Sequence, residues 1–168
     1  MKDAEKLAAE REIDELYWFV GRKGTTETRE NIYVITMISR NPRLIVGFDV
    51  AFDKSRERIQ KIVDNASEAK YYYTDGYAGY IDVVYPGKHI RNIQNKKDTH
   101  NVESVNADIR HHIPILARRS RCFARKKETL YAVVAVFVNA YNSFGMEKYK
   151  YRMKRRTGEL PFSVIDFL

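Results

Sequence analysis

Three acidic residues stand where their neighbours are apolar or turn-forming, and their types suit one chemistry. Asp14 lies between Ile13 and the run that begins at Leu16. Asp75 closes the run Tyr71-Tyr72-Tyr73-Thr74 and precedes Gly76. Glu103 lies in THNVESVNADIR, where Thr99, Glu103, Asn106 and Arg110 are spaced four, three and four apart. On a helix those four share one polar face, and Asp108 sits about 140° around from Glu103. Phosphoryl transfer needs a nucleophile activated near neutral pH and relief of charge at the phosphate. Divalent ions held by a few carboxylates do both. Magnesium takes oxygen ligands and keeps several waters, so two or three carboxylates suffice.

Each acid also has an ordinary reading. Asp14 can be a solvent-facing charge at a strand entry. Asp75 can be part of an Asp-Gly turn. Glu103 can belong to a solvated helix face. Asp49, Asp53 and Asp82 rank lower, and Asp53 is explained as the N-cap of a helix from Lys54.

The elements that must position these acids follow from hydrophobic period. Residues 1–12 read as a polar, helix-prone leader. Residues 13–20, 32–39 and 44–52 are aromatic or branched runs expected as strands, with Asn41-Pro42 as a tight connection. Being close in sequence, they are expected to pair as an antiparallel meander. Ile59, Ile62, Val63 and Ala66 then recur at helical spacing. A short strand follows at 71–74, with strand-like pieces at 81–85 and 88–90. Val102, Val105, Ile109 and Ile113 stripe a helix over 99–113, which Pro114 interrupts. A second, more buried helix is expected over 130–144. Three antiparallel strands, a crossover helix and a strand beside the first form the ribonuclease-H-like arrangement. The expected fold is therefore α/β: a mixed five-stranded sheet with three N-terminal antiparallel strands, flanked by helices. The expected division is a leader (1–12), one catalytic domain (13–148) and a basic tail (149–168).

Composition narrows the class. The 168 residues suit one domain. The single cysteine, Cys122, excludes an internal disulfide and a thiolate-rich zinc site. The 20 Phe and Tyr residues argue against wholesale disorder. The longest uninterrupted apolar run, 130–138, is shorter than the ~20 residues of a membrane helix, so no membrane partner is expected. The first residues lack the apolar centre of a signal peptide, and a cytoplasmic location is expected. Net charge is +8. Residues 110–156 carry 13 Lys and Arg against 2 acids, so the basic excess follows the third acid. Within it Arg118, Arg119, Arg121, Arg125, Lys126 and Lys127 form a cluster with no acid among them, suited to a phosphate-backbone track. The four histidines lack a zinc spacing. Trp18, Phe19 and the tyrosine run are expected to pack in the core and sheet.

Three segments taken together resemble a known family: IDELYWFVGRK (13–23), YYTDGYAGY (72–80) and THNVESVNADIR (99–110). ILARRSRCFARK (115–126) and VFVNAYN (136–142) follow in order. The set resembles the catalytic domain of DDE-type transposases of the insertion sequence 1 family. The resemblance implies a ribonuclease-H-like fold and a metal-binding triad that carries onto Asp14, Asp75 and Glu103. The family's Asn and Arg after the Glu match Asn106 and Arg110, expected to touch phosphate or orient the site. It further implies magnesium, or manganese in its place, and double-stranded DNA as element end and target. Water would cleave the end, and the freed 3′-hydroxyl would attack the target. A homodimer would pair two ends, in a bacterial or archaeal, nucleoid-associated setting. The family usually carries a zinc-ribbon and helix-turn-helix segment ahead of this domain; it is expected to be missing here and to act as a companion. A non-catalytic DNA-binding remnant and a structure-selective nuclease are the other readings.

Overall fold

The computed structural model describes residues 9–21, 29–92, 98–117 and 124–157. Strand β1 (Glu10–Gly21) alternates strictly between two covered faces. Ile13 joins one core with Ile35, Met37, Ile59, Ile62 and Val63. Leu16 and Val20 join the other with Val34, Val102, Val105, Ile109, Leu130 and Val134. A strand covered on both faces reads as nearly continuous apolar sequence, as β2 (Arg29–Ser39) does. β2 pairs antiparallel with β1 and with β3 (Leu44–Ala51), so the expected meander forms. The β2–β3 turn holds a cis Asn41–Pro42 bond.

Helix α1 (Arg56–Asn65) then crosses the sheet and buries Ile59, Ile62 and Val63. It delivers β4 (Tyr71–Thr74) parallel to β1, and β5 (Lys88–Arg91) adds parallel to β4. The order is β3-β2-β1-β4-β5. Helix α2 (His100–His112) and helix α3 (Lys127–Thr157) cover the face opposite α1, with a 3₁₀ turn at Pro114–Leu116 between them. This is the ribonuclease-H-like fold, with its five-stranded mixed sheet between helices.

The structure departs from the expectations at four places. β1 starts at Glu10, so residues 10–12 are strand and not helix-prone leader. The reason is tertiary: Ala9 O accepts from Lys70 N at 2.9 Å and Glu10 O from Arg40 N at 3.2 Å, and Arg11 and Glu12 pair with both β2 and β4. Residues 81–85 form no strand, and Val84 N donates instead to Gln60 Oε1 at 2.7 Å. Helix α1 begins at Arg56 with Ser55 at the N-cap, and Asp53, two residues before that cap, accepts from Ser55 N through Oδ1 at 3.0 Å. Helix α3 continues past residue 148 to Thr157. Its stretch Lys127–Glu147 has a mean hydropathy of 1.2, long and apolar enough to cross a membrane by length and composition. Interspersed small and polar residues conceal this from a count of uninterrupted apolar runs. The same stretch packs on the sheet through Leu130 and Val134, and Asn142 bonds both N and O of Ile45 at 2.8 Å.

Candidate active site

The sheet register brings the first two acids together. Ile13 lies beside Thr74 in the parallel β1–β4 pair, so the next residues, Asp14 and Asp75, follow at adjacent positions. β4 stops there, and the Asp75 carboxylate turns back to accept from Tyr77 N at 2.8 Å. Arg91 donates to the Gly76 carbonyl. A side chain at Gly79 would lie 2.3 Å from the Tyr77 ring, so glycine lets that ring fold over the turn. The Asp-Gly turn and the placement of Asp75 beside Asp14 are thus one feature.

The third acid depends on where α2 starts. Glu12 is fully buried on the face of β1 that also carries Asp14. Its Oε2 accepts from Val102 N at 2.8 Å, and its Oε1 accepts from Asn101 Nδ2 and Arg40 Nε, each at 2.6 Å. A carboxylate at a helix N-terminus satisfies free N–H groups and matches the helix dipole. Arg40 also donates to Glu10 Oε2 at 2.9 Å and to Asp98 O at 2.6 Å, with its guanidinium 3.8 Å from the Tyr73 ring centre. The sequence reading missed Glu12 and Arg40. The signal was the period-two series Glu10, Glu12, Asp14, which puts three acids on one face of a strand.

Asn106 locks Asp14. Its Nδ2 donates to Asp14 Oδ2 at 2.9 Å, and its Oδ1 accepts from Thr36 Oγ1 at 3.0 Å. Nδ2 and Oδ1 each have a partner inside the protein, an arrangement that holds the Asp14 carboxylate in place. Burial pushes the Asp14 carboxyl above its ordinary value, and the charges of Asp75 and Glu103 push it further. The backbone N–H of Glu15 and the Asn106 amide pull the other way. Glu15, on the opposite face, is also raised, chiefly by burial, while Tyr80 and Lys54 oppose the shift.

A cleft of about 340 Å³ opens over these groups, lined by Asp14, Asp75, Glu103, Asn106 and Arg110 with Glu15, Leu16 and Ala107. All three sequence-predicted acids face it. Arg110 forms its wall: Nη2 donates to Tyr17 O at 3.0 Å and Nη1 to Leu116 O at 3.4 Å, with the guanidinium 5.3 Å from the Trp18 ring. Two of its donors are thereby committed to backbone carbonyls.

Of the six residues of the expected basic track, three lie among the described residues. Arg125 and Lys126 are exposed, and Lys127 is half-buried with its ammonium 5.5 Å from the Phe52 ring. Arg118, Arg119 and Arg121 lie outside the described residues. Trp18 packs against the core as expected. His89 pairs with Thr74 Oγ1 at 2.8 Å, and His111 and His112 meet edge-on at 4.7 Å.

The donor set suits a hard cation. Asp14, Asp75 and Glu103 offer oxygens only, and two of them raise the pKa of the third by repulsion, which a bound cation would relieve. Among the described residues, however, no three His, Cys, Asp or Glu side chains are closed around one point in a metal-ligand arrangement. A magnesium site needs no such closure, because it completes its shell with water and substrate phosphate.

The sequence profile of the IS1 transposases matches residues 8–144. The chain belongs to the IS1 transposase family. The match covers all five strands, α1, α2 and the first half of α3, with every acid of the cleft. No protein of curated function matches the sequence. Among solved structures, the chain is similar to one in the cryo-EM structure of the simian T-cell lymphotropic virus intasome in complex with the PP2A regulatory subunit B56 gamma. Identity is 11%, the TM-score 0.48, and the match covers 63% of this chain and 40% of that one. The transposase-family chain thus spans less than half the length of that chain.

Proposed function

We propose that this transposase-family chain catalyses metal-dependent cleavage of a DNA strand by water, followed by attack of the freed 3′-hydroxyl on a target strand. The observation that supports this reading is the cleft in which Asp14, Asp75 and Glu103 meet, with Asp14 held by Asn106. Asp14, Asp75 and Glu103 would hold magnesium, or manganese in its place. When bound, such an ion neutralises charge on the scissile phosphate and acidifies water.

The chain's own residues supply position. Asn106 fixes one oxygen of Asp14. The Tyr77 N–H fixes one oxygen of Asp75 in the same way. Glu12 sets the depth of α2, and hence where Glu103 reaches. Exposed Arg125 and Lys126, with Arg118, Arg119, Arg121 and Lys127, would follow the DNA backbone. A homodimer would bring two element ends to one target.

A second reading, a DNA-binding relative without catalysis, draws on the open spacing of the acids. One experiment separates the two. A duplex oligonucleotide carrying a candidate element end is incubated with magnesium and a second duplex, using wild type and Glu103→Gln. Nicked and joined products from wild type alone support the transposase. Nicked product without joining points to a nuclease. Binding with neither product supports the non-catalytic reading.

A further inference from the structure

We propose that Lys54 is a positioning residue for the carboxylate of Asp75, acting through the ring of Tyr77. Lys54 stands in the connection between β3 and α1, on the face of the sheet opposite Asp14. Its ammonium lies 3.6 Å from the centre of the Tyr77 ring and 3.5 Å from Glu15 Oε2, with the Tyr33 ring at 5.7 Å. Its side chain is 27% exposed and that of Glu15 only 6%. Such a cation is held from both sides, by a carboxylate and by the negative face of a ring. Tyr77 in turn meets Tyr80 edge-on at 5.8 Å, and its backbone N–H is the donor that fixes Asp75 Oδ1.

The chain of contacts therefore runs from β1 (Glu15) to the α1 entry (Lys54), to the turn (Tyr77), to the acid (Asp75). Glu15 and Asp14 are consecutive in β1, so the strand that carries one acid of the cleft also anchors the loop that carries another. Without the Lys54 contact the Tyr77 ring loses its cover on one side, and the turn is free to rotate Asp75 away. The inference rests on the reading of Asp75 as a functional acid, but the turn itself is measured without activity.

The test is amide hydrogen exchange at Tyr77 together with the cleavage assay, on the full chain. Lys54→Met is expected to speed exchange of the Tyr77 N–H and to lower cleavage on the order of tenfold or more, as displaced catalytic groups do. Lys54→Arg keeps charge and ring contact and is expected to restore both. Because Lys54→Met leaves the Glu15 carboxylate alone, Glu15→Gln with Lys54→Met serves as the folded control and should show the same faster exchange. Tyr77→Leu, which keeps the Lys54–Glu15 pair, should match it in cleavage. Unchanged exchange at Tyr77 in the folded double variant would overturn the proposal, whatever happens to cleavage. Faster exchange with no cleavage even by wild type would keep the positioning and reject the catalytic reading.

Discussion

The backbone N–H of Val102 donates to Glu12 Oε2 at 2.8 Å, which ties the first turn of α2 to the strand that carries Asp14. Glu103 is the next residue on the helix, so the distance between two acids of the cleft is set by a third acid that does not face it. Glu12 is fully buried and its partners are Arg40, Asn101 and the helix end. Removing it takes one carboxylate partner from Arg40 and the acceptor from a helix terminus together. Glu12→Ala is expected to destabilise by about 3 kcal/mol, the scale for breaking a buried pair. Glu10→Ala, at the more exposed end of the same Arg40 pair, should cost under about 1 kcal/mol. Urea unfolding of the two variants checks the contrast.

Asn106 acts on Asp14 and Thr36 at once. Asn106→Ala leaves a buried hydroxyl and a half-buried carboxylate without that partner, at a cost of about 1–3 kcal/mol. Cleavage should fall further than stability explains, since Asp14 is then free to rotate. A variant with full activity and reduced stability would assign the amide a purely structural part.

Asp14 is held in a destabilised state. Its carboxyl is raised above the ordinary 3.8 by burial and by Asp75 and Glu103, so the folded chain keeps that proton longer than the unfolded chain. Stability from this group therefore falls as pH climbs above about 3.8 and levels off beyond the folded value. In chelator at pH 7, Asp14→Asn is expected to melt higher than wild type, with the gap closing in acid. Magnesium should raise the melting temperature of wild type and not of the variant. A variant that melts lower at neutral pH would contradict this sign.

His89 gives the opposite slope. Burial, then the charge of Arg91, lowers its pKa below 6.5, so the fold favours the neutral ring that stacks on Tyr85 at 4.3 Å and pairs with Thr74. Its contribution is complete above about 6.5 and is lost as pH falls through the lowered folded value. His89→Gln should flatten this acid loss in a melting series from pH 8 to 5.

Gly87 enters β5 past the backbone of the α1–β4 connection. A Cβ there would lie 2.1 Å from Ala69 O and 2.6 Å from Lys70 O, and backbone cannot swing aside as a side chain can. Gly87→Ala is expected to cost about 1–3 kcal/mol or more. Gly47→Ala has its one close contact with the Ile62 methyl, at 2.6 Å, and should cost less. Paired denaturation curves decide.

Local pattern was enough to order most of the elements, to single out Asp14, Asp75 and Glu103 as candidates, and to point to the family. Those are local matters: a nearly continuous apolar run in residues 32–39, period 3.6 in 99–113, and short motifs whose residues are neighbours in the chain. Its errors fell where distant groups decide. Residues 10–12 look polar and helix-prone, yet they are strand because Arg40, Asn101 and the start of α2 bind Glu10 and Glu12 from far along the chain. Asn106 and Arg110 are legible as polar residues sharing one helix face, but their partners Asp14, Thr36, Tyr17 and Leu116 are set by the fold. The acids were legible as acids. That Asp14 and Asp75 lie side by side came only from the β1–β4 register, because a parallel pairing joins residues about sixty positions apart whose spacing no local pattern records.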